Sequence, residues 1–186
     1  GQKAALPPLA GSADALALAQ LAAAHRGVAA PGRSSRRMVA VVCADALAAQ
    51  RLADEVAWFA PGLAVALLPD WETLPWDHFS PHQDLVSERL AALYRTGRGE
   101  IDVLIVAATT ALHRLAPPSY LAAFTFFVKQ GQRLDVAELR AQLALGGYSH
   151  VTQVVSPGEF SIRGGLIDLY PMGSALPYRL DLFGDD

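Results

Sequence analysis

The segment before the first helical stretch has the glycine of a phosphate-binding loop but lacks the side chains that bind its ions. A working loop needs glycines for close backbone approach, a lysine for the phosphates and a serine or threonine for magnesium. If Gly11 marks this loop, with Ser12 beside it, Asp14 stands at the lysine position and Ala15 at the hydroxyl position. A carboxylate repels phosphate, so the sequence predicts a degenerate loop without a cofactor. A simple capped helix start is the alternative interpretation.

The remaining titratable residues do not form the pattern of a metal or catalytic site. Of the five histidines, only His78 and His82 have the i,i+4 spacing that could place two ligands on one helix face. Pro81 lies between them and disfavours a continuous helix. The single cysteine, Cys43, excludes an intramolecular disulfide and a zinc site built from cysteines. The sequence therefore predicts no metal and no catalytic residue.

A short basic segment is the one candidate for direct contact with nucleic acid. Arg26, Arg33, Arg36 and Arg37 lie among glycine, proline and serine residues without interleaved aromatic side chains. This composition favours a solvated loop. The net charge of -3 gives no overall basic field for DNA. Weak local contact with DNA stays open as an alternative.

Alternating residues near the C-terminus place two arginines and a phenylalanine on outward strand faces. Successive side chains of a strand point to opposite faces, which puts Arg163 outward on one strand and Arg179 and Phe183 outward on another. The same alternation predicts that Tyr178, Leu180 and Leu182 point inward. An exposed ring beside guanidinium groups is typical of a protein-binding hot spot. A solvated face, with the arginines paired to Asp181 or Glu159, fits the spacing equally well.

The elements that carry these residues follow from the apolar pattern. Three continuous apolar runs predict strands covered on both faces, at residues 38–43, 63–68 and 103–107. Helical patterns are found at residues 13–25, with Ser12 as N-cap, at 45–59, with Asp45 as cap, and after Ser80-Pro81. Strands alternating with helices predict an α/β fold, with a parallel sheet that has helices on both faces.

Past Pro117-Pro118 the pattern changes to a smaller α+β unit. A strand at 124–129, a helix at 135–145 and then alternating strands are predicted there. We therefore expect two domains, residues 1–122 and residues 123–186. Because the chain starts with Gly1 and stops within a strand-like segment, we expect an excised piece whose second domain is truncated at its C-terminus.

Composition predicts a globular cytoplasmic protein. In 186 residues, 52% are hydrophobic and 18% are charged, enough to bury a substantial core. One cysteine suits a reducing compartment. We expect no association with a membrane, because no stretch is apolar over the roughly 18 residues that a span requires.

Four motifs carry a resemblance to a known family. They are LPDWETLPWD at 68–77, FSPHQD at 79–84, KQGQRL at 129–134 and RGGLIDLYPMG at 163–173. Together they resemble the N-terminal region of bacterial transcription-repair coupling factors, a region similar to the excision-repair protein UvrB. The resemblance implies a helicase-like domain that has lost its ATP site and a second domain that recruits UvrA. It also argues against strand separation, because the span from Phe79 to Val103 leaves no room for the DNA-wedging hairpin of UvrB.

The resemblance gives the outward residues a partner. Matching the RGGLIDL stretch at 163–169 and a PYRLDLF stretch at 177–183 places the UvrA contact at Arg163, Arg179 and Phe183. One departure is Gly165, where UvrB-like sequences often carry another residue; it should affect the turn more than the contact face. An ATP-hydrolysing or DNA-unwinding domain is the alternative function, and it would require nucleotide binding.

The resemblance also implies activities of an intact parent protein. These are ATP-dependent DNA translocation, contacts with RNA polymerase and double-stranded DNA through other domains, and a C-terminal domain that masks the UvrA site. For this chain alone it implies no enzymatic activity.

Overall fold

The computed structural model describes residues 4–5, 7, 9–26, 37–73, 76–115, 117–118 and 128–182. The chain divides into two compact units. The first unit comprises Gly1–Asp70 and Arg95–His113, and the second comprises Trp71–Tyr94 and Arg114–Asp186. This division differs from the single boundary expected at residue 122, because the segment Trp71–Tyr94 groups with the second unit.

The first unit contains a three-stranded parallel sheet. Its strands are β1 (Val39–Cys43), β2 (Val65–Leu68) and β3 (Val103–Ala107), in the order β1-β3-β2. Its helices are α1 (Ala13–His25), α2 (Ala46–Phe59) and the short α4 (Ala108–Ala111), while α3 (Gln83–Gly97) contributes only its last residues. Both outer strands pair with β3 in parallel, which confirms the predicted α/β fold class.

Helices α1 and α2 pack on one face of this sheet. Buried alanines of α1 lie against α2, whose Leu52 and Val56 belong to the same core as Val103 and Ile105 of β3. The prediction that all three strands are covered on both faces is wrong for β1. Its Val42 side chain is 62% exposed, because β1 is an edge strand and the described residues cover only one of its faces.

The second unit contains a four-stranded mixed sheet and one helix. Its elements are α5 (Val136–Leu145), β4 (Ser149–His150), β5 (Glu159–Arg163), β6 (Leu166–Tyr170) and β7 (Tyr178–Asp181). The order is β4-β5-β6-β7, with β4 parallel to β5 and the other pairs antiparallel. The predicted strand at 124–129 falls mostly outside the described residues, and its described end, Val128 and Lys129, is not part of a strand.

The core of the second unit lies between α5 and the inner face of its sheet. Leu139 and Leu143 of α5 pack against Phe160 of β5 and against Ile167 and Leu169 of β6. Alternation along β5 and β6 therefore directs one set of side chains toward the helix, as predicted, although Ser161 of the other set is also buried. The other set, which includes Arg163, points away from the helix.

The two predicted helix caps have different outcomes. Asp45 accepts a hydrogen bond from the backbone N–H of Ala48 at 2.7 Å, which confirms it as the N-cap of α2. Ser12 precedes α1 but makes no side-chain capping bond, so its predicted role is wrong. A capping side chain needs an extended backbone, whereas Ser12 has a ψ of 13°.

The grouping of Trp71–Tyr94 with the second unit rests on specific contacts. The Gly173 N–H donates to Ser87 Oγ at 2.6 Å, which joins the segment to the sheet of the second unit. Within the segment itself, the Arg89 guanidinium lies 4.2 Å from the Trp71 ring centroid. Gly173 has a φ of 81°, and a Cβ at this position would meet Ala91 Cβ at 3.0 Å. This close approach therefore requires a glycine.

Within the described residues, no helix is long and apolar enough to cross a membrane.

Candidate protein-binding surface

Strand pairing in the second unit aligns polar residues across its outward face. A two-residue turn joins β5 to β6, and its Gly164 has a φ of 60° that favours glycine. The resulting register pairs Ser161 with Asp168, and β7 pairs Asp168 with Arg179. Gly165, the departure from UvrB-like sequences, is not the residue with the positive φ.

Two arginines enclose one aspartate on this face, and we call Arg163, Asp168 and Arg179 the arginine–aspartate cluster. Arg179 donates from Nε to Asp168 Oδ1 at 2.6 Å and from Nη2 to Oδ2 at 3.0 Å. Arg163 donates from Nη2 to the same Oδ2 at 3.2 Å. The Asp168 side chain is only 17% exposed, whereas those of Arg163 and Arg179 are 63% and 62% exposed. The carboxylate is thus covered by guanidinium groups whose outer edges face solvent.

The charges in this cluster reinforce one another. The hydrogen bonds from Arg179, together with the nearby charge of Arg163, hold the pKa of Asp168 below its usual range. The carboxylate in turn raises the pKa of Arg179. Asp168 and Arg179 are therefore charged at neutral pH, and two guanidinium groups around one carboxylate give the cluster an excess of positive charge.

The carboxylate that both arginines contact is not one of those considered from spacing. Pairing with Asp181 or Glu159 was the alternative; Asp168 is the shared partner, and the charge of Asp181 also helps to raise the pKa of Arg179. Glu159 instead accepts hydrogen bonds from the backbone N–H groups of Val155 and Ser156, at 2.7 and 2.9 Å. Sequence reasoning missed Asp168, although the tight Gly164-Gly165 turn, combined with strand alternation, places it on the same face as Arg163.

A concavity of about 730 Å³ adjoins the cluster. Its other lining residues are Thr152, Gln153, Val154, Pro177 and Tyr178. Alternation predicted an inward Tyr178, and its pairing with Leu169 places it on the inner face of the sheet. Its side chain is nevertheless 58% exposed, because it lies at the start of β7. Phe183 lies outside the described residues, so its place on this face remains a prediction.

An ion-pair cluster at the predicted degenerate loop has one arginine between two carboxylates, the reverse of the arginine–aspartate cluster. Asp14 Oδ2 lies 2.7 Å from Arg51 Nη2, and Arg51 Nη1 lies 2.6 Å from Glu55 Oε2. We call these three residues the loop cluster. The hydrogen bond from Arg51 lowers the pKa of Asp14, and the Asp14 carboxylate also accepts from the Ala15 N–H at 2.7 Å. A phosphate approaching this end of α1 would therefore meet a fixed carboxylate.

The other candidate residues are spread over the first unit. Arg26 Nε lies 3.7 Å from Asp102 Oδ2, and Arg37 is exposed. Arg33 and Arg36 lie outside the described residues. Within the part of the chain that the structure describes, no group of three or more histidine, cysteine or acidic side chains is arranged to hold a metal ion.

Comparisons with known proteins point to one kind of relative. Residues 126–186 match the family described as the UvrB interaction domain. The chain is 44% identical, over its full length, to the transcription-repair-coupling factor of Escherichia coli (strain K12). It is 39% identical over 94% of its length to that of Haemophilus influenzae, and 34% identical over its full length to that of Myxococcus xanthus. The chain spans only 15%, 14% and 15% of these three relatives, respectively.

Proposed function

Because the chain belongs to the transcription-repair-coupling factor family, as the N-terminal region that resembles UvrB, we propose that it is a recruitment module for the excision-repair protein UvrA. The outward face of the second unit is the binding surface, with Arg163, Arg179 and Phe183 as its contact residues. The observation that carries the proposal is the arginine–aspartate cluster, whose guanidinium groups are charged and more than half exposed.

The chemistry of this face suits a protein partner. Arginine and tyrosine are enriched among the residues that dominate binding energy in protein interfaces. A guanidinium binds carboxylates and carbonyl groups through several donors in a fixed geometry. The neighbouring concavity offers space for a partner side chain.

The first unit has no catalytic role in this proposal. Its degenerate loop, Gly11, Ser12, Asp14 and Ala15, holds a carboxylate where a nucleotide would place its phosphates. Titration with a fluorescent ATP analogue is expected to show no saturable binding. Saturable micromolar binding that is lost on substitution of Gly11 or Asp14 would support the alternative, an ATP-hydrolysing domain.

The activities of the whole protein lie with regions beyond the matched portion of the relatives. We place ATP-driven DNA translocation and the contacts with RNA polymerase and double-stranded DNA in those regions. A C-terminal domain of the parent masks the UvrA surface, and the protein acts in the cytoplasm. The chain itself supplies the recruitment step that couples transcription to repair.

Calorimetric titration of UvrA with this chain tests the proposal. Arg179→Ala and Arg163→Ala are each expected to weaken binding about thirtyfold, equivalent to about 2 kcal/mol, and Phe183→Ala should act similarly. Arg140→Ala is the matched control, because Arg140 is an exposed arginine on α5, on the opposite side of the same sheet. Unchanged affinity in the Arg163 and Arg179 variants, with circular dichroism showing an intact fold, would refute the proposal.

A further inference from the structure

Asp168 contacts both arginines that are proposed to bind the partner. We propose that Asp168 is a positioning residue: it fixes the guanidinium groups of Arg163 and Arg179 so that one carboxylate of the partner bridges both from the solvent side. This inference rests on the proposed function and adds the chemistry of the group that the surface recognises.

The geometry of the cluster supports a bridging acceptor. Arg179 Nη2 and Arg163 Nη2 lie 3.0 and 3.2 Å from the same oxygen, Asp168 Oδ2. Two nitrogens that share one acceptor are close enough for a second carboxylate to reach both. Such a carboxylate would neutralise the excess positive charge that Asp168 leaves.

The donors that remain define the direction of approach. A guanidinium has five N–H donors, and Arg179 directs its Nε and one Nη2 donor at Asp168. Within the described residues, Arg163 directs only Nη2 at this carboxylate. The other donors lie on the outer edges, which are the exposed parts of both side chains. A partner carboxylate therefore meets the ends of the guanidinium groups rather than the side that Asp168 occupies.

Asp168 has two opposing effects on an acidic partner. Its negative charge weakens the electrostatic field that accelerates association. Its hydrogen bonds hold two long, flexible side chains in place, which reduces the ordering that binding would otherwise require. We infer that the second effect is larger. Asp168 then acts mainly on the dissociation rate, because bound arginines without it can rotate away from the partner.

This role is separable from folding. The core of the second unit lies on the inner face of the sheet, around Phe160, Ile167 and Leu169. Asp168 lies on the outward face, outside this core, and ion pairs whose arginines are more than half exposed contribute little to stability. Substitution of Asp168 is therefore expected to leave the fold intact.

Association and dissociation rates with immobilised UvrA test the inference. Asp168→Ala is expected to weaken binding about tenfold through faster dissociation, with an association rate that is unchanged or raised. Asp168→Asn keeps one acceptor oxygen and should recover part of the loss. In an Arg163→Ala/Arg179→Ala background, Asp168→Ala should have no further effect, because the side chains that it positions are gone.

Nuclear magnetic resonance of the arginine side chains gives a readout independent of the partner. The Arg179 Nε–H should exchange slowly with solvent in the native chain and faster in Asp168→Ala. Tighter binding by Asp168→Ala, or equal exchange in both proteins, would overturn the inference while leaving the proposed function standing. If the native chain does not bind UvrA at all, the proposed function fails and this inference fails with it.

Discussion

The two ion-pair clusters of this chain use the same groups in opposite proportions. The loop cluster places one arginine, Arg51, between the carboxylates of Asp14 and Glu55. The arginine–aspartate cluster places one carboxylate, Asp168, between two arginines. The group in excess decides what a cluster offers to another molecule: the first presents carboxylates, and the second presents guanidinium donors.

This difference in charge gives the two clusters different binding properties. A surplus carboxylate at the start of α1 repels phosphate, although the N-terminal end of a helix otherwise attracts anions. Surplus guanidinium groups on a strand face attract carboxylates of another protein. Ion pairs with exposed arginines stabilise a fold only slightly, so we expect substitutions in either cluster to change stability little and only those in the arginine–aspartate cluster to weaken UvrA binding.

The largest expected effects are on the free energy of unfolding and come from buried residues of β3 and β6. The cores around these two strands hold the two clusters in place. Ile105 of β3 and Ile167 of β6 are both fully buried. Replacing either with alanine should lower the free energy of unfolding by about 2–5 kcal/mol, measured by urea titration. Ile167→Ala should also impair UvrA binding, since β6 carries Asp168, whereas folded Ile105→Ala should bind normally. Equal loss of binding in both variants would contradict the assignment of the surface to the second unit.

Charge reversal compares the clusters directly. Arg179→Glu gives the second cluster the carboxylate excess of the first, and a carboxylate facing a partner carboxylate costs several kcal/mol. We expect the affinity for UvrA to fall by roughly a hundredfold or more. Arg51→Glu introduces the same change of charge in the loop cluster and should alter the affinity less than about twofold. Similar losses in both variants would indicate a nonspecific effect of net charge.

Helix capping by Asp135 should contribute to the stability of α5, whereas Ser12 should not contribute to that of α1, and this effect is smaller. The Asp135 carboxylate caps α5 by accepting from the N–H groups of Ala137 and Glu138, at 2.8 and 3.0 Å. Asp135→Ala should therefore cost about 1 kcal/mol. Ser12→Ala should change stability by less than about 0.5 kcal/mol, because Ser12 makes no capping bond. A cost for Ser12→Ala as large as that for Asp135→Ala, in urea unfolding of both variants, would show that the serine caps α1 in solution.

The smallest effect is a dependence of stability on acid pH. Arg51 lowers the pKa of Asp14, and Arg179 followed by Arg163 lowers that of Asp168. A carboxyl with a lowered folded-state pKa stabilises the fold above its ordinary pKa, and this stabilisation is lost as the pH falls through the lowered value. Asp14→Asn and Asp168→Asn should therefore each flatten the decline in unfolding free energy below about pH 4. An unchanged slope in both variants would contradict these ion pairs.

The strands were predictable where a single segment determines them. Strand β3 has the bounds predicted from its apolar run, Val103–Ala107, since a buried parallel strand is apolar on both faces. The exposure of Val42 was not predictable, because an apolar run does not show whether its strand lies at the edge of the sheet. The grouping of Trp71–Tyr94 with the second unit depends on the Ser87–Gly173 hydrogen bond, which joins residues far apart in sequence.

The candidate site, too, was predictable from the sequence only in part. Alternation placed Arg163 and Arg179 on outward faces, and the structure brings both to one carboxylate. Asp168 was missed because its position follows from the pairing of three strands rather than from the pattern of any one of them. Tyr178 lies on the inner face, as alternation predicted, but it stays exposed because it is at the end of a strand.

Site-specific photocrosslinking tests most directly which unit contacts UvrA. Gln153, which lines the concavity beside the arginine–aspartate cluster, and Trp58 of α2 are both exposed, one in each unit. Each is replaced in turn by p-benzoylphenylalanine, and the chain is irradiated with UvrA. The account predicts a crosslink from position 153 and none from position 58. Crosslinking from position 58 alone, or equally from both, would contradict it.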